Sequence, residues 1–173
     1  MIVYNPAFDL YHAIYRMAHI LQRLDDSETF EVDKVRIWDF YLLFPSKLYN
    51  VSLRHLDKEI VDARKQYIDN SRNPYEYSGD NRKLFEWIKP FQMSALNCLV
   101  SCGILTKEAY LDGKVSIANR ASLDDFVEKA GGISVKEQNV LSFLSIFSRH
   151  MSLTGTDGLK ARTHLLESRY DAE

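Results

Sequence analysis

Leu10, Ile14, Met17, Leu21 and Leu24 recur at alternating spacings of four and three, which sets them on one stripe of a helix. Pro6 suits the first turn of that helix, with Asn5 as its cap. Tyr11, Tyr15 and Ala18 widen the stripe, so the helix is expected to touch neighbours on more than one side. His12 and His19 flank it and lack further ligands nearby, so both are read as structural. After the polar break Asp25–Thr29, the segment Phe30–Phe44 runs to Pro45. Val32, Val35, Asp39 and Leu42 share one helical face of it, while Ile37, Phe40, Tyr41 and Phe44 crowd the other. An unpaired carboxylate in such surroundings is costly. Asp39 is therefore expected to accept hydrogen bonds from a backbone end or to meet a base across an interface.

Leu53, Leu56, Ile60, Ala63 and Tyr67 predict another helix, with Ser52 as candidate cap. Asp69–Asp80 reads as a loop carrying Arg72, Tyr75 and Tyr77. A short helix Arg82–Ile88 is expected before Pro90, then a second helix Gln92–Cys102 ended by Gly103. No charge occurs from Phe91 to Thr106. Glu108–Ile117 follows, with Asp112-Gly113 where a tight hairpin turn wants them. Helix, glycine turn and ribbon outline a winged-helix module. A winged helix that reads DNA carries Arg, Lys, Asn or Gln toward bases and phosphates. Gln92–Cys102 has almost none, so it is expected to pack or dock. Lys107, Lys114 and Arg120 are the bases placed as wing contacts to phosphate would be, and three cations support only weak, salt-sensitive binding.

Beyond the wing, Ser122 is a candidate cap for Leu123–Ala130, and Ser134 with Glu137 forms a capping-box pattern. Val140, Leu144, Phe147 and Met151 make one stripe of the helix that follows, and Phe143, Ile146 and His150 a second. Leu159, Leu165 and Leu166 mark a last amphipathic helix. The expected fold is mainly α: a winged-helix-like module, helices plus a small β-hairpin wing, with flanking N- and C-terminal helices. The expected parts are residues 1–70, 80–121 and 122–173.

The balance of 22 Lys and Arg against 24 Asp and Glu argues against a stand-alone nucleic-acid binder. The two cysteines, Cys98 and Cys102, are read as small buried apolar residues, without a disulfide or a metal. The first residues lack the basic and apolar regions of a secretory signal, and the apolar run Phe40–Phe44 is too short to span a bilayer. A cytoplasmic location without membrane partners is expected. Phosphate-binding glycine loops, strained serine elbows and acid clusters of nuclease spacing are not seen. The chain is thus read as non-enzymatic and cofactor-free.

Three stretches in order, Tyr4–Met17 (YNPAFDLYHAIYRM), Val35–Pro45 (VRIWDFYLLFP) and Arg82–Leu105 (RKLFEWIKPFQMSALNCLVSCGIL), resemble the middle components of bacterial ABC-three-component systems, also called Lamassu-type defence systems. The resemblance implies a small winged-helix-type subunit beside an SMC-like ABC ATPase and an effector, often a nuclease. It implies an accessory role: organising the complex on DNA and restraining the effector until phage or plasmid DNA is sensed. Trp38, Asp39, Phe40 and Tyr41 are the expected partner contacts, and Lys107, Lys114 and Arg120 the expected contacts to the DNA backbone. The alternative is a winged-helix transcription regulator, which needs a basic reading helix and usually a symmetric dimer.

Overall fold

The computed structural model describes residues 5–53, 57–71 and 76–166. The chain divides into two compact units, neither of them contiguous: Met1–Asp39 with Trp87–Ile133, and Phe40–Glu86 with Ser134–Glu173. Among the described residues the fold is mainly helical, with one small antiparallel sheet.

In the first unit, Pro6–Phe8 forms a 3-10 turn in which Asn5 accepts from the Ala7 amide at 3.0 Å. The helix proper, α1 (Leu10–Leu21), starts later than Pro6. Asp9 caps it by accepting from the His12 amide at 2.7 Å. Strand β1 is Phe30–Glu31, and α2 runs Val32–Leu43, so the helical reading of Phe30–Phe44 loses its first two residues to a strand. Strand β2 (Lys114–Val115) is its partner, in the register Phe30↔Val115 and Glu31↔Lys114. The expected local hairpin at Glu108–Ile117 therefore does not form. Lys107–Leu111 is a short helix, α5, and Gly113 at φ 73° ends its turn rather than linking two strands. Left-handed glycine serves a helix end as readily as a hairpin, and Glu, Ala and Leu favour the helix. A single bridge, Leu105↔Ile117, extends the ribbon beside α5.

Helix α4 spans Asn81–Ser101 without interruption, with Pro90 inside it, where two helices were expected. Leu84, Phe85, Ile88, Gln92, Ala95, Leu96 and Leu99 form one buried stripe that passes Pro90 in phase, and Pro90 itself is exposed. The hydrogen bond that proline deletes thus falls on the solvent side, where water can take its place. Gly103, at φ 73°, ends the helix as the sequence predicts. Helix α6 (Arg120–Ala130) packs on α1 and is capped by Asn119, not Ser122, because Asn119 accepts from the Ser122 amide at 3.0 Å.

The second unit is built on α3 (Lys58–Tyr67) packed against α7 (Val135–Ser148). The capping box predicted at Ser134 and Glu137 is present. Arg162, in α8 (Leu159–Thr163), donates to Asp57 at 2.8 Å and so ties the last helix to the cap of α3. Phe40 packs edge-on to Phe85, and its ring also meets Phe44. Of the loop residues singled out in the sequence, Arg72 and Tyr75 lie outside the described residues, as does Leu56.

A polar cluster sits inside the first unit. Arg16 Nε donates to Asp39 Oδ1 at 2.6 Å and Arg16 Nη2 to Asp39 Oδ2 at 3.3 Å, with both side chains at most 1% exposed. Gln92 Nε2 donates to Asp39 Oδ2 at 2.9 Å and to the Arg36 carbonyl at 3.1 Å. Its Oε1 accepts from Arg36 Nε at 3.0 Å, and Arg36 Nη1 reaches Asp33 at 2.6 Å. Arg16 Nη1 donates to the Pro6 carbonyl at 2.9 Å and to His12 Nδ1 at 2.8 Å. The base that Asp39 needed is thus in its own chain, and the structural reading of His12 holds.

Two consequences can be measured. Asp39→Ala leaves the Arg16 guanidinium buried without its counter-ion, a loss of roughly 3–5 kcal/mol by denaturant unfolding. An Asp39→Leu, Arg16→Met pair, which removes both charges, should recover part of it. Burial also raises the Tyr41 phenol well above its ordinary 10.0. The unfolded chain ionises this group near pH 10 while the folded chain keeps it neutral. The stability it contributes is complete below pH 10 and is lost as pH rises beyond, at about 1.4 kcal/mol per pH unit. Alkaline melts should fall less steeply in Tyr41→Phe.

Candidate functional site

The expected contact residues Trp38, Asp39, Phe40 and Tyr41 are 1%, 0%, 0% and 2% exposed. Their side chains offer no surface in this fold, so the contact patch expected there is not met. Trp38 packs edge-on to Phe30 at 5.6 Å, and Asp39 serves the polar cluster. The sequence carries the signal for this outcome: a helix apolar on both faces is a buried helix.

The three expected DNA contacts separate into two kinds. Lys107 opens α5 and Lys114 lies on β2, both exposed. Arg120, half-buried, donates from Nε to Asp26 at 2.7 Å and from Nη2 to the Leu24 carbonyl. Its charge is answered within the chain. It fastens the start of α6 to the segment after α1, whereas the two lysines remain at the surface.

The first unit also contains a groove of about 420 Å³, which no single stretch of sequence announces. Ile14 of α1, Cys98 and Leu99 of α4, Cys102 and Ile104 just beyond it, and Phe126 of α6 line it. Leu99 and Ile104 are buried and form the floor, while Cys102 stands exposed at the edge. Both cysteines of the chain are therefore groove residues, Cys98 half-buried and Cys102 exposed, not the buried pair expected. They are free thiols. Gly103 explains the exposure of Cys102, because its left-handed turn ends α4 there and swings the chain down to Ile104.

On the α6 side the rim carries Ser122, Asp125 and Lys129, and Lys129 Nζ meets Asp125 at 2.6 Å. This pairing, four residues apart on one helix, neutralises the only base on that rim. Asp124 and Glu128 are exposed on the same helix, and Asp124 accepts from the neutral amide of Gln22 at 3.1 Å. The two ends of α6 are held apart from the groove itself. Arg120 fixes one end; at the other, Tyr15 donates to the Gly132 carbonyl at 2.9 Å and His19 Nε2 to that of Gly131 at 3.0 Å. An apolar trough with pinned walls suits the burial of apolar side chains from another molecule.

Among the described residues, no three His, Cys, Asp or Glu side chains come together as a metal site, and no helix is long and apolar enough to cross a membrane.

No curated protein and no solved structure matches the chain. A family model described as ABC-three component (ABC-3C) system Middle Component 5 matches residues 2–171. Since that match takes in nearly the whole sequence, the chain belongs to the Middle Component 5 family of ABC-three component systems.

Proposed function

We propose that this chain is a non-catalytic accessory subunit of a Lamassu-type bacterial defence complex, where it links or regulates an SMC-like ABC ATPase and an effector on DNA. The observation that carries this reading is the family match over residues 2–171, since a middle component implies other components to work with. The near balance of charge and an open apolar groove agree with a subunit that works by holding other proteins. A cytoplasmic location goes with the same reading.

The winged-helix reading draws support from the order α1, β1, α2 and, past α3, α4, the Leu105↔Ile117 bridge and β2 paired back to β1. In this arrangement α5 occupies the place of the wing, with Lys107 and Lys114 upon it and beside it. The exposed side of α4 beyond Pro90 carries Ser94, Asn97 and Ser101 but no cation, which disfavours a transcription regulator that reads bases through this helix.

Co-expression with the ATPase and effector encoded beside it should yield a stable complex, and deletion of this chain alone should abolish protection against phage. Failure to co-purify would defeat the proposal. For DNA, the Lys107→Glu, Lys114→Glu double variant should weaken binding by the assembled complex. Its plot of log affinity against log salt should lose about 0.9 in slope per contact removed. Arg120→Glu should act differently, lowering the melting temperature of the isolated subunit because it breaks the tie to Asp26 and Leu24.

A further inference from the structure

We infer that a polar pocket in the second unit binds a small anion of the pyrophosphate class, with Arg64 as its fixed anchor and Lys58 and Lys65 at its two ends.

The pocket, of about 610 Å³, lies between the segment Tyr49–Leu53 and helix α3, within the second unit. That volume is ample for a diphosphate carrying a substituent. Lys58, Arg64 and Lys65 line it, and Asp62 is the one acid among its described lining residues. Three cations against one carboxylate leave an excess of two positive charges, even with Asp62 set against Lys65 at 3.9 Å. Asp57, next to Lys58 in the chain, is engaged by Arg162 at 2.8 Å and so is drawn toward α8.

Arg64 sets the chemistry. Its guanidinium carbon stands 4.9 Å from the centre of the Tyr49 ring, and the Tyr49 hydroxyl donates to the Ile68 carbonyl at 3.0 Å. Arg64 Nη1 donates to the Leu48 carbonyl at 3.3 Å, a long hydrogen bond, while Nε is buried with no acceptor among the described residues. A ring and a carbonyl thus hold the group in place, yet no described carboxylate answers its charge. A guanidinium left so short of acceptors is rare inside a folded protein. Nε itself is out of a ligand's reach, and an anion would balance the charge from the pocket side.

Spacing selects the anion. Lys58 and Lys65 are seven residues apart on α3, which puts them on one face about 10 Å apart along its axis. A single phosphate or carboxylate meets one such ammonium group, whereas a two-phosphate chain is within reach of two flexible lysines. The planar fork of Arg64 suits the oxygens between them. Asn50 and Ser52, on the other wall, offer neutral donors. A duplex presents a wide rod of phosphates, which a pocket of this size does not enclose.

Calorimetric titration of the intact subunit with sodium pyrophosphate at low salt should show one binding event and a matching rise in melting temperature. Inorganic phosphate should bind about tenfold more weakly, and added salt should weaken both. Arg64→Gln, and separately Lys58→Gln with Lys65→Gln, should each weaken pyrophosphate binding by about tenfold. Arg64→Lys, which keeps the charge without the fork, should recover only part of the loss. Circular dichroism checks that the variants fold, and the two exposed lysines keep the test open if Arg64 proves structural. Adenosine diphosphate separates two sources of the same group. Tighter binding than pyrophosphate marks a nucleotide and weaker binding marks the inorganic ion, and the site stands in either case. A folded subunit that ignores pyrophosphate, or a lysine pair variant that binds it as before, overturns the inference. A duplex oligonucleotide held through Lys58 and Lys65 where pyrophosphate is not held also overturns it, in favour of a nucleic-acid backbone.

Discussion

One buried carboxylate constrains most of the first unit. Asp39 on α2 takes hydrogen bonds from Arg16 on α1 and from Gln92 on α4, so three helices meet at its two oxygens. A buried ion pair contributes little net stability compared with well-packed apolar residues of the same volume. Its weight lies in what it forbids. Rotating α1 by one residue would strand a guanidinium in an apolar interior, and rotating α4 would do the same to an amide. The cluster therefore fixes the rotation of each helix, and Ala13, Val35, Ala95 and Leu96 are buried on the same three helices.

The outward surfaces follow from that constraint. With Gln92 turned inward, the buried stripe of α4 is set, and Cys98 falls on the flank that faces α1 and α6. Helix α6 is pinned at its start by Arg120, and the glycines after it are pinned by Tyr15 and His19. The groove walls are thus fixed by polar contacts that lie outside the groove.

For a middle component, this division of labour is coherent. Polar chemistry holds the helices in place, and an apolar trough is left open between α1, α4 and α6. The cationic groups near β2 divide in the same way: Arg120 is drawn into the structure, and Lys107 and Lys114 stay at the surface. Asp69 shows that local contacts can shift a group even in the open, for the Ser71 hydroxyl and amide hold its carboxyl below the usual range.

The sequence by itself determined the features that depend on near neighbours. A helix at α1, the capping box at Ser134, the left-handed end at Gly103 and the mainly helical class were legible from spacings of a few residues, although α1 stops at Leu21, short of Leu24, and leaves Tyr11 exposed. Its resemblance to ABC-three-component middle components was legible as well. Only the tertiary structure decided the rest. Pro90 reads as a break, yet α4 continues through it because the packed stripe outweighs one lost hydrogen bond on the exposed side. Asp112-Gly113 suits a hairpin or a helix end equally, and β1, some 80 residues earlier in the chain, supplies the strand that settles it. Asp39 declares that it needs a donor without naming Arg16 or Gln92, 23 and 53 residues away. The groove draws its walls from residues 14, 98–104 and 122–129. Periodicity and propensity act over about two helical turns, whereas partners and cavities are chosen by burial, which brings distant segments together.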